Sequence, residues 1–94
     1  MNAQYDACLD KLCEQDGVKG ALVLDSLGLC VSRRGVARLS DVEPILKAET
    51  AARAAQTEGQ TQDVLAFRHF DHIILLERFP KLVIIVYKHP DESG

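Results

Sequence analysis

The chain has 94 residues, 47% of them hydrophobic and 27% charged, with eleven basic against fourteen acidic residues and a net charge of −3. That apolar content is enough to offset chain entropy, so a folded domain is expected, and at this size it holds a single core. The even charge balance, with no block of one sign, gives no electrostatic footprint for a nucleic acid or an anionic membrane.

Residues 3–15 carry Tyr5, Cys8, Leu9 and Leu12 at the spacing of one helical face, while Asp6, Asp10, Lys11 and Glu14 fall mostly elsewhere. The pattern predicts an amphipathic helix, stopped at Asp16-Gly17, where glycine adopts the left-handed backbone that closes helices. The same opening segment lacks the basic start and continuous apolar stretch of a secretion signal. The longest apolar run, Leu82 to Tyr87, falls far short of the roughly 20 residues that cross a bilayer. Asn2 stands where myristoylation requires glycine. A soluble, cytoplasmic protein is expected, with any membrane address supplied by a partner rather than by direct insertion.

Val18 to Leu24 reads as a strand buried on both faces, Asp25 to Gly28 as a turn, and Leu29 to Arg33 as the returning strand. In that turn Asp25 is expected to bond its own backbone two residues on. After a Gly35–Leu39 linker, Ser40 and Glu43 have the spacing of a capping box, but Pro44 fits only the first turn and pushes Glu43 from helical geometry, which allows a helix start as late as Pro44 itself. The helix is expected to run to about Thr57, before Gly59. Its apolar residues, Val42, Ile45 and Leu46 and then Ala48, Ala51, Ala52 and Ala55, spread over a wider arc than one sheet face requires, which points to a second packing partner.

A polar loop, Glu58–Gln62, precedes three strands: Val64–His69, His72–Glu77 and Leu82–Lys88, joined across Phe70-Asp71 and Arg78–Lys81. The last is apolar on both faces and belongs in the middle of a sheet; the first is short and mixed in polarity, which marks an edge. Residues 89–94 read as a tail. The whole describes one α+β domain over residues 1–94, a five-stranded antiparallel sheet with helices on its faces, in the order helix, strand, strand, helix, strand, strand, strand.

Catalytic chemistry is hard to place on this frame. Three cysteines, an odd number, fit a reducing compartment rather than a disulfide framework. Cys8 and Cys13 lie about 140° apart on a helix, so they do not face one metal ion, and with Cys30 they read as small hydrophobes. His69 and His72 bracket the tight Phe70-Asp71 turn and with Asp71 imitate a metal site, but the sequence places no third ligand. The glycines have no phosphate-loop spacing, and neither Ser26 nor Ser40 sits in a nucleophile elbow. No catalytic residue, metal or cofactor is expected, and the chain is expected not to be an enzyme.

What remains is surface. A strand edge left open must be covered, charged or paired. Pairing of Val64, Leu65, Ala66, Phe67 and Arg68 with a second chain, with the helix face of Ile45, Ala48, Ala51, Ala52 and Ala55 meeting above, makes a protein interface the expected site.

The stretch Gly20-Ala21-Leu22-Val23-Leu24-Asp25-Ser26-Leu27-Gly28-Leu29, followed by Arg34-Gly35, resembles the strand-turn-strand signature of the roadblock / dynein light chain superfamily, and within it the subunits of the Ragulator scaffold. The positions that carry the likeness are Gly20, Leu22, Asp25, Ser26, Gly28, Leu29, Arg34 and Gly35, and the ending Val86-Tyr87-Lys88 has a similar cast. The resemblance implies a profilin-like roadblock fold and dimerisation through the second helix and third strand. It also implies a non-enzymatic adaptor role beside another roadblock-type subunit, in a larger complex that anchors Rag-type small GTPases at the lysosomal surface for growth-kinase (TORC1) signalling. A dynein light chain or a stand-alone GTPase regulator of the same fold is the alternative. From another class, a profilin-like sensory domain would hold a small molecule in an apolar pocket with convergent polar groups.

Overall fold

The alternation of side chains along the strands sets the layers. In the computed structural model, which describes residues 3–55 and 64–90, strand β5 (Leu82–Lys88) buries Val83, Ile85 and Tyr87 on one side and half-buries Leu82, Ile84 and Val86 on the other. Strands β1 (Val18–Asp25), β2 (Cys30–Gly35), β3 (Val64–His69) and β4 (His72–Arg78) join it in one antiparallel sheet of order β2-β1-β5-β4-β3. The doubly apolar strand is central and the mixed strand is an edge, both as the sequence predicts.

Helix α2 (Val42–Ala54) packs on one face through Ile45, Val42 and Leu46, which close a core with Leu22, Leu24, Ala37, Ile74, Leu76, Val83, Ile85 and Tyr87. Helix α1 (Ala3–Cys13) lies on the opposite face over β1 and β2, where Leu9 sits on Ala21 and Val23. Arg34 of β2 ties α1 down from the flank, its Nε donating to Asp10 at 2.8 Å, and the Ser32 hydroxyl donates to Asp6. Ile73 and Leu75 of β4 and Val86 of β5 remain half-buried on this side.

Two tight places hold the first hairpin. Asp25 Oδ1 accepts the backbone N–H of Leu27 (2.8 Å) and of Leu29 (3.0 Å), the side-chain turn expected of it. At Gly35, with φ of +66°, a Cβ would stand 2.2 Å from the Lys19 carbonyl oxygen, so the chain crosses there only as glycine.

Several boundaries differ from expectation. α1 ends at Cys13, and β2 starts at Cys30 and runs to Gly35, which shortens the linker. The Ser40–Glu43 capping box does not form: Ser40 belongs to a 3-10 turn at Leu39–Asp41, and the residue capping α2 is Asp41, whose carboxylate makes no cap bond. α2 begins at Val42, with Pro44 inside the first turn, and ends at Ala54. Thr57, Gly59 and the Glu58–Gln62 loop lie outside the described residues, as do Asp91–Gly94. His89, assigned to the tail, instead donates its N–H to the Gly17 carbonyl at 2.7 Å. Among the described residues, no helix is long and apolar enough to cross a membrane.

Candidate protein interface and adjoining pocket

The β3–β4 hairpin turns through two residues, with His69 opposite His72. Such a closing pair exchanges both backbone bonds, and the pattern alternates along the ladder, so His69, Phe67 and Leu65 bond to β4. The N–H and C=O groups of Val64, Ala66 and Arg68 therefore point away from the sheet, along an edge that no described strand covers. Their side chains are exposed as well. Beside this edge stands α2, which contacts β3 and turns Lys47, Thr50, Ala51 and Ala54 outward.

The residues expected at the interface are thus divided. Val64, Ala66, Arg68, Ala51 and Ala55 are exposed, and Ala48 and Ala52 are half-buried. Ile45 (0% exposed) and Leu65 (4%) are buried in the chain's own core, and Phe67 packs against it. The correction follows from phase: Ile45 lies on the stripe of α2 that faces the sheet, and Leu65 and Phe67 share the inward side of β3.

That stripe also carries Glu49, only 2% exposed. Arg78 of β4 grips its carboxylate with both Nε and Nη2, the latter donating at 2.7 Å, and Arg53 donates at 2.9 Å. Burial pushes the Glu49 carboxyl up, but the bonds from Arg78 and Arg53 outweigh it and hold the group below its ordinary range. Sequence reasoning passed over this pair. The signal was there: Glu49 sits four residues after Ile45, on the apolar side of the helix.

At the other end of α2 a cavity of about 410 Å³ opens between the segment after β2 and the β3–β4 turn, lined by Val36, Arg38, Asp41, His69, Phe70, Asp71, His72 and Tyr87. The Tyr87 hydroxyl donates to Asp41 Oδ2 at 2.7 Å, and His69 Nε2 stands 3.3 Å from Oδ1. Burial raises the Asp41 carboxyl, yet the bonds from Tyr87 and His69 and the charge of Arg38 outweigh it and keep the group ionised at lower pH than usual. Burial and the Asp41 contact push the Tyr87 phenol well above its ordinary value. His69 therefore braces the helix start, and among the described residues no group of three His, Cys, Asp or Glu is placed to hold a metal ion.

Of the cysteines, Cys13 and Cys30 pack partly against the two cores as expected, whereas Cys8 is exposed. Burial, with the charge of Asp10, raises the Cys13 thiol, which favours its protonated form. Arg34, one of the positions that carry the family likeness, bridges to Asp6 and Asp10 of α1.

No family model matches the chain, and no curated protein matches it either. Solved structures do. A roadblock/LC7 domain from Streptomyces avermitilis superposes with a TM-score of 0.65 at 13% identity, over 92% of this chain and 78% of that one. MglB from Myxococcus xanthus gives 0.67 at 17% identity, over 93% and 76%. A structure described as MglB with tetrameric arrangement gives 0.68 at 13% identity, over 93% and 71%. The chain therefore has the roadblock/LC7 fold.

Proposed function

We propose that this chain is a non-enzymatic, roadblock-type adaptor that pairs with a second roadblock chain along β3 and α2 and, so paired, presents a platform to a small GTPase. One observation carries the reading: β3 ends the sheet with the backbone groups of Val64, Ala66 and Arg68 turned outward, beside a helix whose outer face includes the small residues Thr50, Ala51 and Ala54. Strand addition there joins two sheets and brings the two copies of α2 together, an association of the stable class that buries about 1,200–2,000 Å². The tetrameric arrangement in the name of one structural neighbour supports an assembling role.

The finer reading rests on the sequence resemblance to Ragulator subunits: a place in a Ragulator-like complex at the lysosomal surface, serving Rag-type GTPases. The half-open flank of Ile73, Leu75 and Val86 supports it, because a larger scaffold needs a second contact surface. Co-purification of a roadblock-type subunit and a Rag-type GTPase with the tagged chain from its source cell is the expected result; recovery of the paired chains with neither would remove this finer reading.

Light scattering tests the pairing itself. The chain is expected to show twice its monomer mass at roughly tens of micromolar, and Ala66→Pro and Ala51→Glu are each expected to return the monomer. Ala66 donates nothing to β4, so proline there removes an outward N–H without breaking the ladder. A monomeric parent chain, or dimers that survive both substitutions, would refute this interface.

A further inference from the structure

The pocket at the start of α2 is lined by side chains of both charges. Arg38 is exposed, and none of the ion pairs among the described residues employs its guanidinium. Asp71, from the β3–β4 turn, is also exposed and also outside those pairs. Asp41, which lines the same pocket, is already engaged by Tyr87 and His69. Val36 and Phe70, 42% and 81% exposed, add apolar walls. The cavity, about 410 Å³, is within the size of ordinary ligand sites.

Phe70 is the telling residue. It holds φ of +55°, and Asp71 does not share the positive φ, so the turn places its left-handed residue first, a position where glycine is unstrained and an aromatic residue is not. The ring packs edge-on against His69 at 4.6 Å but stays outside both cores. The fold does not need an aromatic there; a cavity wall does. Strain of this kind is found where a site is held in shape for something else.

We propose that this pocket binds a small zwitterion, a free α-amino acid with an apolar side chain, its carboxylate on Arg38, its ammonium toward Asp71 and its side chain against Phe70 and Val36. An anion alone meets Asp71 and the ionised Asp41, and a cation alone meets Arg38. A ligand carrying both signs satisfies both walls. The guanidinium fork matches a carboxylate in geometry, and an ammonium gains from a carboxylate beside an aromatic face.

The test is titration of the isotope-labelled full chain, followed by backbone amide resonances. The probes are L-phenylalanine, L-leucine and two analogues of leucine with one charge each, 4-methylpentanoate and 3-methylbutylamine. Saturable shifts confined to 36–41 and 69–72 are expected with the amino acids, binding at least about tenfold tighter than either analogue. Arg38→Gln and Asp71→Asn, both at exposed positions where the fold is retained, are each expected to weaken binding by about tenfold or more with unchanged spectral dispersion. The proposal fails if no probe saturates below about 10 mM, if an analogue binds as tightly as its amino acid, or if both variants bind like the parent.

Discussion

Phe70 shows how one residue can work against the fold that carries it. An aromatic side chain held in the left-handed region costs about 1–3 kcal/mol, and among the described residues the ring it meets is that of His69 alone. Asparagine tolerates this backbone far better. Phe70→Asn is therefore expected to raise stability by about 0.5–1 kcal/mol, read as a higher urea midpoint at unchanged slope. A lower midpoint would mean that the edge-on contact outweighs the strain. Asp41 makes a related compromise: its carboxylate leaves the helix N–H groups uncapped in order to serve Tyr87 and His69.

At the level of elements, α2 is fastened by one carboxylate at its start and another in its second half, and acid should loosen both. Asp41 and Glu49 are each held below their ordinary range in the folded chain. The unfolded chain therefore takes up those protons first, so their contribution is fully present at neutral pH and is lost as pH falls through and below about 4. Glu49→Gln is expected to cost about 2 kcal/mol at neutral pH, less than a fully buried pair because the Arg78 side chain is 50% exposed. Urea midpoints taken from neutral pH to about pH 3 should fall less steeply in the variant; an identical slope would show that Glu49 does not carry the acid sensitivity. The same elements mark what the sequence could convey. Polarity along Leu82–Lys88 and Val64–His69 placed the middle and the rim of the sheet, because burial on two faces, one or none is written in side-chain alternation. The start of α2 was misread because the partners of Asp41 come from β3 and β5, far along the chain. The pocket was invisible for the same reason: 36–41, 69–72 and Tyr87 meet only once the sheet has formed. On α2 the stripe facing the sheet and the outer face were merged into one arc, which is why Ile45 was assigned to the surface.

For the whole molecule, the proposed pairing would make stability depend on concentration. A chain that gains a partner only when folded unfolds at a higher temperature as it is concentrated. The melting temperature of the parent chain is expected to climb with dilution reversed over two decades, and that of Ala66→Pro to stay flat; a flat response in both would argue for a solitary folded unit. A different consequence follows from strand order. β1 is flanked by β2 and β5, so its second neighbour is made last, after every other strand. During synthesis the strand carrying Leu22, Val23 and Leu24 waits with one side unsatisfied until β5 leaves the ribosome, and for that interval the nascent chain offers a sticky template that chaperones or fast pairing must shield.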